Sequence, residues 1–164
     1  GPMFHSTPYS LDIDCAEEIP MDSYPGALGQ ILTNLVTNAL IHGLDGRPAG
    51  RIEVIVRPAP KAVSIRVCDD GAGIDENALQ RIFDPFFTTR LGKGGSGLGL
   101  YIVYNLVTRS LGGQISAASE PGKGTCFTLT LPRTAPSHDA PRDVLVVPSR
   151  TAPGLNFDGA GPIS

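Results

Sequence analysis

Asn34 and Asn38 lie four residues apart, so on a helix they share one face. An asparagine oxygen is a hard, neutral ligand, the kind Mg²⁺ accepts beside phosphate oxygens. The pair alone fits plain surface amides equally well. A second group, Asp69-Asp70-Gly71-Ala72-Gly73, follows an apolar run. A carboxylate at a strand end can accept a hydrogen bond from an exocyclic amine such as adenine N6. The glycines let backbone turn and approach a flat ring, although an ordinary Asp/Gly turn has the same composition. A third group runs from Gly92 to Leu100 as Gly-Lys-Gly-Gly-Ser-Gly-Leu-Gly-Leu. Glycine-rich backbone ahead of a helix is a natural phosphate cradle. This one lacks the Gly-Lys-Ser/Thr of a P-loop and the third glycine of a dinucleotide fingerprint. Between the glycine groups, Phe83, Phe86 and Phe87 fall within five positions of the run from Arg81 to Arg90. They fit a satellite core that anchors a lid.

These residues need elements to hold them. Apolar positions at Leu28, Ile31, Leu32, Leu35, Val36, Ala39 and Leu40 predict an amphipathic helix over 25–43, begun by Pro25 and stopped by Gly43. Alternating apolar residues predict strands at 10–15, 51–57, 62–68, 114–119 and 125–131, with short turns at 58–61 and 121–124. A short helical piece near 76–83 and a second buried helix over 100–111 complete the set. The expected fold is an α+β two-layer sandwich: a mixed, mostly antiparallel sheet of about five strands packed on about three helices, with a flexible lid.

The chain has 164 residues, 41% of them hydrophobic, and a net charge of −3. That suits one domain with a real core and offers no basic footprint for nucleic acid or an anionic membrane. Cys15, Cys68 and Cys126 are odd in number and far apart, which predicts no disulfide framework and a reducing compartment. No apolar run reaches the roughly 18 residues of a membrane span, and no signal peptide is visible. Residues 1–3 look like a tag-cleavage scar, 4–132 form the expected domain, and 133–164 read as a Pro/Gly-rich, mostly disordered tail. Within that tail, Asp143-Val144-Leu145-Val146-Val147 fits either a short strand or a linker.

In combination and in this order, the groups resemble the ATP-binding catalytic domain of sensor histidine kinases, in the GHKL superfamily with its Bergerat fold. Residues 34–43 are similar to the N box, 69–73 to the first glycine box, 81–90 to the F box and 95–100 to the second glycine box. Residues 119–125 match the turn near the domain's end, so the likeness covers about 8–132. It implies that Asn38 ligates Mg²⁺ and that Asn34 supports the phosphate and metal side. It implies that Asp69 binds the adenine amine, that Gly71 and Gly73 admit the base, and that Thr125 lies beneath it. Gly95, Gly97 and Gly99 would hinge the lid and face the phosphates. Contacts to nucleotide are further expected from His42, Ile74, Phe87, Arg90, Lys93, Ser96 and Leu98.

The implied activity is phosphoryl transfer from Mg·ATP to a histidine on a separate dimerisation domain, then to a response regulator. The lid, about 74–97, would close over the phosphates. No histidine here fits the acceptor: His5 and His138 lie in irregular stretches, and His42 is in the site. The isolated domain is expected to be monomeric and cytoplasmic without direct membrane contact, and the full kinase homodimeric. Two alternatives are a nucleotide-sensing module without phosphotransfer and an anti-sigma-factor-type serine kinase. ATP-hydrolysing relatives carry glutamate at the position of Asn34. An amide cannot take a proton from water, so slow intrinsic hydrolysis is expected.

Kinases of this family often carry Lys or Arg where this chain has Ile41. A charge-assisted hydrogen bond contributes about 1.5–3 kcal/mol. Ile41→Lys should therefore tighten Mg·ATP binding, read as a lower dissociation constant by calorimetry. An unchanged constant would show that the phosphates do not pass this position.

Overall fold

β-branched and aliphatic residues at alternate positions give each main strand one apolar face, and packing that face decides the architecture. The computed structural model describes residues 9–15, 18–87, 98–137, 143–147 and 150–156. Strands β1 (Tyr9–Cys15), β3 (Gly50–Ala59), β4 (Ala62–Asp69), β5 (Gln114–Glu120) and β6 (Gly124–Pro132) form the expected sheet. Its order is β5-β6-β4-β3-β1, continued by β8 (Arg150–Asn156) on the far edge of β1. β1 and β3 run parallel and the other pairs antiparallel, so the sheet is mixed and mostly antiparallel.

Two long helical segments cover one face. α1 (Pro25–Asn38) continues through a π turn (Ala39–Gly43), and α3 (Gly99–Asn105) through a second (Leu106–Ser110). Pro25 occupies the first turn of α1, where its missing N–H costs nothing. Leu28, Ile31, Leu35 and Val36 of α1 bury against Ile52, Val54, Ile65, Val67, Phe127 and Leu129, with Val103, Val107 and Leu111 beside them. The opposite sheet face carries Arg51, Arg57 and Arg66, all exposed. One helical turn, α2 (Glu76–Leu79), is capped by Asp75, which accepts from the Ala78 N–H at 2.8 Å. Layering of helices on one sheet face bears out the α+β sandwich. No described helix is long and apolar enough to cross a membrane.

Several expectations need correction. β2 (Ile19–Ser23) was not expected; its buried Ile19 and Met21 extend the core below α1. The stretch 133–164, expected to be mostly disordered, contains β7 (Asp143–Val147) and β8. β7 pairs antiparallel with β2, which resolves the Val-rich run as a strand, and β8 fills the open edge of β1. Exposed strand edges present unpaired N–H and C=O groups, so a following segment gains by pairing with them. Cys68 and Cys126 form a disulfide despite a sequence separation of 58. The reason is register: β4 and β6 set them directly opposite each other. Spacing along the chain carries no trace of that pairing.

The core prediction concerns the helix that carries both asparagines. Leu35 is 0% exposed and sits on α1 between Asn34 and Asn38. Leu35→Ala should destabilise by about 2–5 kcal/mol, and Leu32→Ala, at a half-buried position, by clearly less. Urea unfolding of the two variants checks this; equal losses would mean that α1 packs on a different face.

Candidate nucleotide site

β4 ends at Asp69, and the chain turns through Gly71 to Gly73 directly against the end of the α1 segment. Gly43 lies against the Asp69 carboxylate: a Cβ at Gly43 would stand 2.7 Å from Asp69 Oδ1. The Ala72 N–H donates to the Gly43 carbonyl at 2.8 Å, and a Cβ on Gly71 would overlap that same carbonyl. Gly43 was expected to act as a helix-stopping glycine. It is instead the last residue of the π turn, followed by Leu44 in the right-handed region, and the Leu44 N–H reaches back to the Ala39 carbonyl at 2.9 Å. Glycine is required there for closeness, not for a left-handed turn. The π turn widens the helix by one residue per turn, which brings Gly43 up to Asp69 with Asn38 one turn behind it.

The turn is tied on its other side to the β5–β6 hairpin. The Gly122 N–H donates to the Ala72 carbonyl at 2.6 Å. The Ile74 N–H donates to Ser119 Oγ at 2.7 Å, and Ser119 Oγ donates to the Gly124 carbonyl at 2.9 Å. With the Ser119 proton so used, the Thr125 hydroxyl, 2.8 Å away, donates to Ser119. Gly73 has φ +76°, and a Cβ there would overlap the Glu120 carbonyl. Asp70 fixes the neighbouring strand: its Oδ1 accepts from the Arg51 N–H at 2.8 Å and its own N–H donates to the Arg51 carbonyl at 3.2 Å. Behind the π turn, the Tyr9 hydroxyl lies 2.9 and 2.8 Å from the Leu44 and Arg47 carbonyls and shares its one proton between them.

Asn34, Asn38, Ile41 and His42 are all half-buried along the same helical segment. Asn34 Nδ2 makes a long 3.5 Å contact to the carbonyl of Gly99, the first residue of α3. Leu98 caps that helix, its carbonyl accepting from the Ile102 N–H at 2.9 Å. Asp69, Gly71, Gly73, Ile74 and Thr125 are thus brought together by direct contacts, and Gly43, next to His42 in the chain, ties the helical segment that carries Asn38 to them. Arg90, Lys93, Gly95, Ser96 and Gly97 lie outside the described residues. Phe87 is half-buried against the core with the Arg81 guanidinium 4.8 Å above its ring. Phe83 lies 6.2 Å edge-on to Phe127 and 5.4 Å from Tyr104, so the aromatic segment is anchored to β6 and α3. Phe86 is 70% exposed with φ +66°. Sequence reasoning missed Ser119 and Tyr9 as positioning residues. Ser119 stood inside the matched turn, but only the ladder shows that its hydroxyl faces Ile74.

Burial pushes the Asp69 carboxyl above its ordinary value of 3.8, and Asp70 adds repulsion. The backbone N–H groups of Gly71 and Thr125, and the Arg47 charge, pull the other way without cancelling the effect. A carboxylate held this way is a strong acceptor, and two N–H donors leave about half of its roughly four lone-pair directions for a ligand. The cost falls on stability. The folded-state pKa exceeds the unfolded one, so the native state binds more protons between the two values. Stability contributed by the protonated form is complete below 3.8 and is lost as pH rises through the raised folded pKa. Asp69→Asn cannot titrate. It should gain stability relative to the parent chain as pH rises from about 4 to 7.5, measured by urea unfolding of both proteins without nucleotide. A gap that shrinks over that range would refute the account of Asp69.

Residues 24–135 match the family described as histidine kinase-, DNA gyrase B-, and HSP90-like ATPase. The two-component sensor PprA of Pseudomonas aeruginosa is 34% identical over 137 residues, covering 79% of this chain and 14% of PprA. Sensor histidine kinase ZraS of Escherichia coli is 43% identical over 119 residues, covering 73% of this chain and 24% of ZraS. This chain therefore spans less than a quarter of those curated relatives. The nucleotide-free catalytic domain of histidine kinase ThkA superposes with a TM-score of 0.60 at 31% identity, over 70% of this chain and 71% of that one. Full-length ShkA in complex with AMPPNP gives a TM-score of 0.66 at 28% identity, over 79% of this chain and 27% of that one. With matched residues running from the position before α1 to just past β6, the chain belongs to the histidine kinase-, DNA gyrase B-, and HSP90-like ATPase family, as an ATP-binding catalytic domain of the sensor histidine kinase type.

Proposed function

We propose that this domain binds Mg·ATP between the α1 segment and the Asp69 turn, and delivers the γ-phosphate to a histidine on a separate helical dimerisation domain. The observation that supports the reading is the seating of Gly43 against Asp69, which brings the end of the asparagine-bearing helical segment up to the carboxylate. Asp69 takes the adenine amine, with Thr125 and Ile74 below and beside the base. Asn38 ligates the metal and Asn34 supports it. Among the described residues no cluster of three His, Cys, Asp or Glu is arranged to hold a cation. A Mg²⁺ here fits the few-ligand case, in which phosphate oxygens and water complete the shell around neutral amides. Bound Mg²⁺ would neutralise charge developing on the transferred phosphoryl group.

The protein's own work is positioning. Asn34 withholds a base from water, so the phosphoryl group waits for an imidazole. His42, Arg90, Lys93, Ser96 and the glycines at 95, 97 and 99 face the phosphates, with Leu98 and Phe87 at the lid's base. The parent kinase acts as a homodimer in the cytoplasm and passes phosphate to a response regulator.

The test mixes this chain with the dimerisation helices of its parent kinase and γ-labelled ATP. Acid-labile label on the helices is expected, and Asn38→Ala should lower it by at least roughly tenfold. Acid-stable label would identify a serine kinase. Bound nucleotide with no label would identify a sensing module.

A further inference from the structure

Cys68 and Cys126 take no part in the chemistry assigned above. They are directly opposed across the β4–β6 ladder, bonded sulfur to sulfur, with Cα atoms 4.1 Å apart. Side chains alternate along a strand, so the pair lies on the sheet face opposite Asp69, Thr125, Val67 and Phe127. Both cysteines are half-buried rather than sealed in the core. The Arg66 guanidinium lies 3.7 Å from Cys126 Sγ. A cation beside sulfur favours the thiolate, which is both the attacking and the leaving group in exchange. On the flanking strands, Ala118 opposes Cys126, and Glu53 opposes Cys68 with its carboxylate engaged by Arg51 at 3.2 Å. The third cysteine, Cys15, is 2% exposed and not disulfide-bonded, so it does not compete for a small reagent.

The next rung of the same ladder is Asp69 opposite Thr125. β4 ends there, and strand ends are where local opening begins. A covalent link one rung inward forbids β4 and β6 from parting at that point. We propose that Cys68 and Cys126 form a reversible thiol–disulfide exchange site whose bonded state holds the Asp69–Thr125 rung, and with it the Gly71–Ile74 turn, in the closed arrangement described above.

The oxidant is a low-molecular-weight disulfide of the glutathione class. The Cys126 thiolate attacks one of its sulfurs, forming a mixed disulfide and releasing one small thiolate. The Cys68 thiolate then attacks the Cys126 sulfur, forming the protein bond and releasing the second. Two electrons pass from the protein to the small disulfide, and the two protein thiol protons end on the two released thiolates. A reducing dithiol runs the sequence backwards.

The experiment equilibrates the folded chain in glutathione buffers from fully reduced to strongly oxidised. Maleimide trapping with intact mass then reports thiol state, and hydrogen exchange is measured on the two end states. Both thiols should disappear together in one two-electron transition, with a disulfide-linked peptide pair containing Cys68 and Cys126 recovered on digestion. The amides of Gly71 and Ile74 should exchange at least threefold more slowly in the bonded form. Cys68→Ser and Cys126→Ser should stop at a glutathione adduct and exchange like the reduced parent. The reduced parent chain is itself a control that needs no substitution. The proposal is overturned if both thiols stay alkylatable in the most oxidised buffer, or if the two forms exchange equally at Gly71 and Ile74. Mg·ATP affinity is read alongside. Failure of either form to bind nucleotide would sink the proposed function while leaving these thiol and amide readouts decisive.

Discussion

The site depends on one close approach, Gly43 against Asp69. An aspartate at the end of a buried strand keeps its charge only where backbone N–H groups and limited solvent support it. Gly71 supplies one N–H at 2.8 Å, and the turn that presents it is held by Ala72 on the Gly43 carbonyl. Helix end and strand end therefore fix each other. A side chain at Gly43 would displace the carboxylate, and one at Gly71 would displace the helix. The π turn is part of the same constraint, because its extra residue brings Gly43 into reach without bending α1 away from the core.

The second tier of positioning is the β5–β6 hairpin. Ser119 accepts from Ile74 and Thr125 and donates to Gly124, so one hydroxyl fixes the turn, the hairpin and Thr125. Because Asp69 and Thr125 are paired across β4 and β6, the two residues cannot drift in register without turning every core residue of a strand outward. The hydrophobic core and the polar site are set by the same alignment. Val67 and Phe127, both 2% exposed, pin it from the core side.

Elements with strong period were legible in the sequence. The α1 pattern, the five main strands and the grouping of asparagines, Asp69 turn and phenylalanines all follow from local spacing. What was not legible depended on distant partners. The Cys68–Cys126 bond needs the β4–β6 register. β8 is a strand because the edge of β1 awaits it, and β2 because β7 pairs with it from more than a hundred residues away; Arg150–Asn156 even contains a proline and a glycine. Gly43 looked like a stop signal because the carboxylate it accommodates lies 26 residues further along the chain. The roles of Arg90, Lys93, Gly95, Ser96 and Gly97 rest on the family likeness alone.

In the proposed reading, charge favours amides over carboxylates along α1. The chain carries a net −3, and Asp69 and Asp70 already place two carboxyl groups side by side at the end of β4. A carboxylate at position 34 would add repulsion toward a polyphosphate. It would also supply a base for water. Neutral oxygens at Asn34 and Asn38 avoid both effects, since they can complete the shell of a divalent ion whose charge the phosphates balance. In the proposed reading, the phosphoryl group then meets no activated water within the domain. The proposed transfer would then need an imidazole presented from outside, so the amide that denies water a base also ties the proposed activity to a partner.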